Sequence, residues 1–367
     1  MKKIHLILLL TLVLLVSYIF LRSKTISEPL LTNTPYVLEG TQLPKGDRML
    51  GIDVNIASDN DYDKAFKAAK SLGMEVIPLS INWNDVEKTK SEYNMEEDFL
   101  AIADAYYPPT KTKLALYIRS VDTNSKPVPK DLEEVPFDDP KMTERYLKMI
   151  DWVFSKLLNT EIVFLSVGDE IDLMIGDDKA LYRQFEIFFR DVKERIKEKN
   201  PNLKVGYTAT LYGLTERVPE ELKRINEYSD VVFVSYYPVK DDIGLKDPSV
   251  VSKEIDSLID NYPNKIIYIE QTGYPTSSYL NGSEAKQREF IREIFKAWDK
   301  HSSQIKYISF TWLNDLSASG VHGFNQYYGW SDKSFNEFIR TLGFRTYDGQ
   351  DKEAYRAIKA EANARGW

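Results

Sequence analysis

Short apolar runs of strand length alternate with longer amphipathic stretches along most of the chain, beginning at Met49. Alternation of this kind is typical of repeated βα units arranged around a parallel sheet. Eight strands are predicted at residues 49–55, 75–81, 113–119, 161–167, 203–208, 231–237, 265–270 and 305–312. Amphipathic helices are predicted at residues 61–72, 96–105, 139–158, 179–199, 219–226, 249–260 and 284–300, and a helical tail follows the last strand.

Eight βα units predict an α/β protein in which one domain, residues 47–367, forms a (β/α)8 TIM barrel. A doubly wound open sheet shares the alternation, but it usually carries a glycine-rich phosphate loop after its first strand. Residues 53–56 of this chain read DVNI and contain no glycine. The pattern therefore favours the barrel.

The N-terminus has the character of a targeting segment. Lys2 and Lys3 precede a run of 16 residues, 6–21, that contains no charged side chain. Residues 1–24 are therefore predicted to be a signal peptide or an uncleaved membrane anchor, and both alternatives stay open. The polar, proline-containing residues 25–46 are predicted to be a linker. We expect an extracytoplasmic protein, secreted or anchored to the outer face of the plasma membrane, with membrane contact only through this segment.

Charge and aromatic content narrow the possible partners. A formal net charge of -8 weighs against a nucleic-acid partner, because phosphates call for a basic surface. Aromatic residues make up 13% of the chain, including 23 Tyr and 6 Trp. Sugar rings stack on such side chains, which favours an oligosaccharide or polysaccharide substrate. A monomer is expected.

Carboxylic acids end two of the predicted strands. Glu170 closely follows strand four and Glu270 ends strand seven. The carboxyl ends of barrel strands meet at one rim, where active sites of this fold lie. Glycosidic cleavage by retention uses one carboxylic acid as proton donor and a carboxylate about 5 Å away as nucleophile. The sequence therefore predicts a glycoside hydrolase with these two glutamates as its catalytic pair.

Three motifs carry a family resemblance. Residues 167–171, VGDEI, look like the Gly-Asn-Glu motif of the clan of retaining (β/α)8-barrel glycoside hydrolases. Residues 270–275, EQTGYP, look like its Glu-x-Gly-Trp/Tyr-Pro motif with one residue inserted. Residues 235–238, SYYP, are similar to the strand-six segment of endo-β-1,4-galactanases. The chain resembles this clan over residues 49–364.

The resemblance implies roles for individual residues. Glu170 takes the position of the general acid/base and Glu270 that of the nucleophile in a double displacement on β-linked glycans. Tyr236 or Tyr237 matches the strand-six tyrosine that bonds the nucleophile. Trp312 matches the strand-eight tryptophan that forms the floor of the sugar site.

The chain departs from the clan at two positions. Asp169 replaces the asparagine that bonds the sugar 2-hydroxyl, and the arginine expected near the end of strand two is absent from residues 78–83. Arg119, at the end of strand three, is the expected substitute. Asp53, Trp83 and Tyr274 complete the predicted substrate contacts, although an inter-strand salt bridge explains Asp53 equally well.

Two other functions compete with hydrolysis by two glutamates as explanations of the sequence. A metal-dependent barrel enzyme needs histidine ligands, and the three histidines of this chain form no strand-end His-x-His pair, so no metal or other cofactor is expected. A barrel that binds carbohydrate at the cell surface without cleaving it is the second hypothesis. Asp169 and the missing arginine motivate it, whereas the presence of both glutamates argues against it.

Overall fold

The computed structural model of the chain describes residues 36–95, 98–240 and 242–367. Residues Gly40–Trp367 form one compact unit. The predicted signal or anchor at 1–24 and the first half of the predicted linker, residues 25–35, lie outside the described residues. Within the described ranges, no helix has the length and apolar character needed to cross a membrane.

The parallel strands of the sheet are β1 Met49–Ile52, β2 Val76–Asn82, β3 Lys113–Arg119, β4 Ile162–Ser166, β5 Lys204–Gly206, β6 Thr208–Thr210, β7 Val232–Tyr236, β8 Ile267–Thr272 and β9 Ile305–Phe310. The α-helices are α1 Tyr62–Lys70, α2 Trp83–Val86, α3 Phe99–Tyr106, α4 Pro140–Lys156, α5 Ile171–Ile175, α6 Lys179–Lys199, α7 Pro219–Asn226, α8 Val251–Asn261, α9 Glu284–Lys300, α10 Ala318–Tyr328, α11 Lys333–Arg340 and α12 Glu353–Arg365.

The strand order makes this sheet a barrel. The order β5-β4-β3-β2-β1-β9-β8-β7-β6 begins and ends with two segments that are separated in the chain only by Tyr207. Because β5 pairs with β4 and β6 pairs with β7, the two segments act as the fifth strand of the predicted eight. The predicted parallel α/β barrel is thereby confirmed.

Aromatic rings fill the inside of the barrel. Phe164 of β4 packs at ring-centroid distances of 4.9 Å on Phe233 and 5.3 Å on Tyr307. Such large side chains leave little room opposite them, so two inward positions are glycines. A Cβ on Gly206 would lie 2.7 Å from the Phe233 ring, and one on Gly51 would meet the Tyr307 hydroxyl. These rings, which we call the aromatic layer, close the barrel beneath its mouth, the open end at which the carboxyl ends of the strands meet.

Strand β8 contains a bulge near its carboxyl end. Val234 of β7 is opposite Ile269, but the next residue, Ser235, is opposite Gln271. Glu270 is therefore the extra residue, and the pairing of β8 with β9 slips in the same interval. Bulges of this kind redirect side chains at barrel rims. The predicted strand seven ended at Glu270, whereas β8 continues for two more residues.

Candidate active site

Glu170 follows β4 at the turn into α5. Its backbone is left-handed, with φ of 46°, a conformation that L-residues adopt at a cost when surrounding contacts hold it. The side chain is half-buried and both carboxyl oxygens accept hydrogen bonds. Ser235 Oγ donates to Oε1 at 2.6 Å and Thr123 Oγ1 donates to Oε2 at 3.0 Å. Donors from β7 and from the loop after β3 thus fix this carboxyl at the mouth.

The environment of Glu170 keeps a proton on it. Burial, followed by the neighbouring negative charge of Asp169, raises the pKa of Glu170 to about 8. The bonds from Ser235 and Thr123 act in the opposite direction, because they favour the carboxylate. The raised pKa leaves Glu170 protonated at neutral pH, which is the state that a general acid requires.

Asp169 lies beside Glu170 and is held by polar groups from two other strands. Gln271 Nε2 is 3.0 Å from Oδ1 and 2.9 Å from Oδ2, and the Arg119 guanidinium is 3.3 Å from Oδ2. Burial raises the pKa of Asp169 to about 6, and the charge of Arg119 opposes that rise. Asp169 is therefore mostly ionised at neutral pH. Arg119 reaches the mouth, as expected for a substitute cation.

Glu270 occupies a deeper position than the mouth residues. Its side chain is almost fully buried, at 1% exposure, and Oε2 accepts a hydrogen bond from Thr208 Oγ1. Oε1 has no hydrogen-bond partner among the described residues. The carboxyl is within electrostatic range of Tyr117 and Tyr307 in the aromatic layer. Burial raises the pKa of Glu270 well above its ordinary value, so burial disfavours the carboxylate form.

The rim position on β8 belongs to Gln271 rather than to Glu270. Gln271 is only half-buried, and its amide spans the mouth to reach Asp169 on β4. Gln271 was not among the predicted site residues. A reading of residues 271–275, QTGYP, against Glu-x-Gly-Tyr-Pro without an insertion would have found it, with glutamine in place of glutamate. The inserted residue is the bulged Glu270.

Three other predicted contact residues come together at the mouth. The Trp312 side chain donates a hydrogen bond to Asp53, whose pKa is raised by burial to about 6. Tyr237 shares a hydrogen bond with Thr311, and its ring packs edge-on against Phe338 at 5.3 Å. Tyr237 also lies within electrostatic range of the Asp53, Asp169 and Glu170 carboxyls. Asp53 also lies within electrostatic range of Arg119 on β3, so the substrate contact and the inter-strand ion pair both stay predictions for Asp53.

Three predicted sugar contacts are not at the mouth and need correction. Tyr236 follows the inward-facing Ser235 on β7, so strand alternation turns it outward, where its hydroxyl donates to Glu254 at 2.8 Å. Trp83 is fully buried, donates to Glu87 at 2.9 Å and packs against α4. Tyr274 is also fully buried, and its hydroxyl donates to the Lys246 carbonyl. All three rings lie in the contact between the strands and the surrounding helices and loops.

The hydroxyl donors of the site had no sequence signal. Thr123, Thr208 and Ser235 bond the two glutamates from three different segments. Threonine and serine are frequent in strands and loops, and only the closure of the barrel brings these hydroxyls to the carboxyls. In the described part of the chain, no group of three or more His, Asp or Glu side chains is arranged to hold a metal ion.

Solved structures share this fold. An exo-β-1,4-mannosidase from Opitutaceae bacterium strain TAV5 superposes with a TM-score of 0.68 at 16% identity, over 90% of this chain and 62% of that one. The Ignisphaera aggregans GH53 catalytic domain gives 0.64 at 16% identity, over 88% and 99%. A GH5_18 protein from Streptomyces cattleya in complex with GlcNAc gives 0.65 at 14%, over 88% and 80%. No family model and no curated protein matches the chain.

At identities of 14–16% these similarities show the fold alone. The resemblance to barrel glycoside hydrolases that the motifs suggested is confirmed at that level. The chain spans less than two thirds of the mannosidase, so nothing about that whole protein transfers directly. The function depends on the side chains at the mouth of the barrel.

Proposed function

We propose that this protein is a glycosidase that hydrolyses β-linked glycans, with Glu170 as the general acid/base. The observation that carries the proposal is the Glu170 carboxyl, fixed at the mouth of the barrel by hydrogen bonds from Ser235 and Thr123. Its pKa of about 8 allows it to donate a proton to a glycosidic oxygen at neutral pH. Trp312 and Tyr237 supply aromatic surface beside it, and solved proteins of this fold include a mannosidase and a protein that binds GlcNAc.

The cellular setting is part of the same proposal. A glycan substrate outside the cytoplasm agrees with the predicted signal or anchor at residues 1–24. Secretion or attachment to the outer face of the plasma membrane would bring the barrel to such a substrate. Detection of the protein in culture medium, in membranes or in neither tests this part separately.

The nucleophilic role of Glu270 stays a prediction, and its surroundings weigh against it. A nucleophile must be ionised and must reach the anomeric carbon. Glu270 is 1% exposed and bonded to Thr208, and burial raises its pKa well above the ordinary value. The group above it on β8 is the amide of Gln271. Double displacement by two glutamates would require the Glu270 side chain to leave its bond with Thr208.

A carbohydrate-binding barrel without catalysis is the second candidate function, and one observation favours it. Gln271 stands at the rim where a carboxylate would act, and an amide does not attack an anomeric carbon. Binding of glycans without turnover, by the natural sequence and by a Glu170→Gln variant alike, is the result that this candidate expects.

Release of the aryl group from a panel of aryl β-glycosides tests the proposed function. Glu170→Gln keeps the size of the side chain but cannot donate the proton, so kcat/KM is expected to fall by ~10²–10⁴-fold. Glu161→Gln is the matched control, because Glu161 is exposed and pairs with Lys113 at the amino end of β3. Equal activity in the Glu170→Gln and Glu161→Gln variants would contradict the proposal.

A further inference from the structure

The acids of the mouth are unevenly placed: Asp53, which follows β1, is bonded to the Trp312 indole, and β8 presents no carboxyl at its rim. Asp169 and Glu170, both on the β4 side, carry the carboxyls that interact with each other, and β8 contributes the Gln271 amide. Glu270, the one acid of β8, is 1% exposed and bonded to Thr208. Retaining hydrolysis nevertheless needs a nucleophile at the anomeric carbon. Since the β8 rim holds an amide and no carboxylate, a nucleophilic group on the substrate itself would meet this need.

We infer that the substrates are 2-acetamido-2-deoxy-β-glycosides, whose own acetamido oxygen attacks the anomeric carbon while Asp169 bonds the acetamido N–H. This inference rests on the proposed glycosidase function and specifies its substrate class. It assigns Glu170 as the acid/base, Asp169 as the group that bonds the acetamide, and Gln271 as a positioning residue. The general use of a substrate group as nucleophile is established chemistry for some other glycosidase families.

The proposed hydrolysis balances in electrons and protons, with water as the only co-reactant. The acetamido carbonyl oxygen forms a bond to C1 as the bond from C1 to the leaving oxygen breaks, and Glu170 gives that oxygen its proton. The products are the free alcohol and a cyclic oxazolinium ion. Water then adds to C1, gives a proton to the Glu170 carboxylate, and the bond between C1 and the acyl oxygen breaks. The acetamide is restored and the configuration at C1 is retained.

Asp169 has the chemistry that this intermediate requires. An ionised carboxylate accepts hydrogen bonds and donates none, so it selects a C2 substituent that carries an N–H or O–H. Positive charge develops on the acetamide as the oxazolinium ion forms, and a fixed carboxylate stabilises that charge more than it stabilises the ground state. The two bonds from Gln271 and the 3.3 Å contact with Arg119 fix the carboxylate in advance.

The position of Asp169 relative to the sugar follows from its neighbour on the chain. Glu170 must lie next to the glycosidic oxygen on C1, and Asp169 precedes it directly. The adjoining sugar carbon is C2, where the acetamido group stands.

Fluorination of the N-acyl group is the decisive test. The substrates are aryl 2-acetamido-2-deoxy-β-glycosides of the gluco and galacto series, their mono-, di- and trifluoroacetyl analogues, and the matching 2-hydroxy glycosides. Fluorine withdraws electrons from the carbonyl oxygen and weakens it as a nucleophile. We expect kcat/KM to fall with each fluorine, and the acetamido substrates to exceed the 2-hydroxy substrates by at least ~10²-fold, since the nucleophile is intramolecular.

The possible outcomes separate the inference from the proposed function. Glu170-dependent cleavage of 2-hydroxy glycosides, together with acetamido rates that fluorination does not change, overturns the inference and leaves the glycosidase function standing. Loss of the 2-hydroxy activity in Glu270→Gln would then assign the nucleophile to Glu270. Absence of Glu170-dependent release from every glycoside overturns both proposals.

Asp169→Asn gives a second measurement that does not depend on turnover. The probe is the 1,2-thiazoline of N-acetylglucosamine, a stable analogue of the cyclic intermediate. Removal of the charge is expected to weaken thiazoline binding at least ~10-fold by calorimetry and to lower kcat/KM on acetamido substrates by ~10²-fold. Binding of N-acetylglucosamine itself should change less, because the free sugar carries no developing charge. Equal weakening of both ligands would indicate a merely structural Asp169 and would count against the inference.

Discussion

Two adjacent polar side chains stand at the carboxyl end of each of two strands: Asp169 and Glu170 after β4, and Glu270 and Gln271 on β8. The two strands place their pairs at different depths in the barrel. After β4, the turn at Glu170 puts two carboxyls at the mouth, one held by Ser235 and Thr123 and the other by Gln271 and Arg119. On β8, the bulge leaves Gln271 at the rim and Glu270 buried and bonded to Thr208.

The difference between the two strand ends shows that an acidic residue within a motif does not have an established role until its position in the fold is known. A carboxyl with bonds to both oxygens and access to the mouth can exchange protons with substrate. A carboxyl with one bonded oxygen and 1% exposure mainly costs stability when it ionises. Backbone pairing, which shifts by one residue at the bulge, decides between the two outcomes.

An exchange of the polar groups between the strand ends should produce the largest effect. The double variant Asp169→Asn with Gln271→Glu puts an amide on β4 and a carboxylate at the β8 rim, which is the arrangement of the clan motifs. We expect aryl 2-hydroxy glycoside hydrolysis to rise by ~10²-fold, because an accessible carboxylate can then attack C1. Gln271→Glu alone should gain less, since two adjacent carboxylates repel. A double variant no faster than the natural sequence would contradict the placement of residue 271.

The pH dependence of kcat/KM tests the two acids at the β4 end, Asp169 and Glu170. Activity requires ionised Asp169 and protonated Glu170, whose pKa values are raised to about 6 and about 8. We expect kcat/KM to be bell-shaped between these values, with a tenfold fall for each pH unit outside them. Arg119, Asp122 and Asp172 are the charged neighbours of this coupled pair of carboxyls. Their charges therefore influence the pH at which each limb of the profile falls. A profile without a descending limb near pH 8 would contradict Glu170 as the acid.

Glu270→Gln should reveal the stability cost at the β8 end. Burial raises the pKa of Glu270 above its ordinary 4.5, so its contribution to stability is full below that pH and is lost as the pH rises towards the folded-state pKa. Glutamine resembles the protonated acid and removes this dependence. The variant should match the natural protein near pH 4 and gain up to about 1.4 kcal/mol for each pH unit above 4.5, measured by denaturant unfolding. A constant difference at all pH values would mean that Glu270 ionises freely in the fold.

Ser235→Ala should have the smallest effect. The serine hydroxyl favours the ionised form of Glu170, so its loss raises the pKa of that group further. We expect the descending limb of the pH profile to move to higher pH, with kcat/KM at pH 7 within about fivefold of the natural protein. Tyr236→Phe is the matched control on the same strand, because its hydroxyl bonds Glu254 away from the mouth. A limb that moves equally in both variants would exclude the direct bond as the cause.

Much of this molecule was predictable from the sequence. The alternation of apolar runs with amphipathic stretches gave the barrel, because strand and helix periodicities are local properties of the chain. Glu170, Asp169, Arg119, Tyr237 and Trp312 were found because they directly follow or end apolar runs, and all strand ends of a parallel barrel share one rim. Tyr236 and Tyr237 could not be separated in this way, since both fall at the end of the same run.

The tertiary structure alone decided which of two adjacent polar residues faces the substrate. On β7 the choice depended on the phase of the strand against its neighbours, which turned Ser235 and Tyr237 inward and Tyr236 outward. On β8 it depended on a single extra residue in the pairing, which sent Glu270 inside and left Gln271 at the rim. A sequence specifies the kinds of side chain near a strand end. The register of that strand in the closed sheet fixes their direction, because it depends on hydrogen bonds to residues far away in the chain.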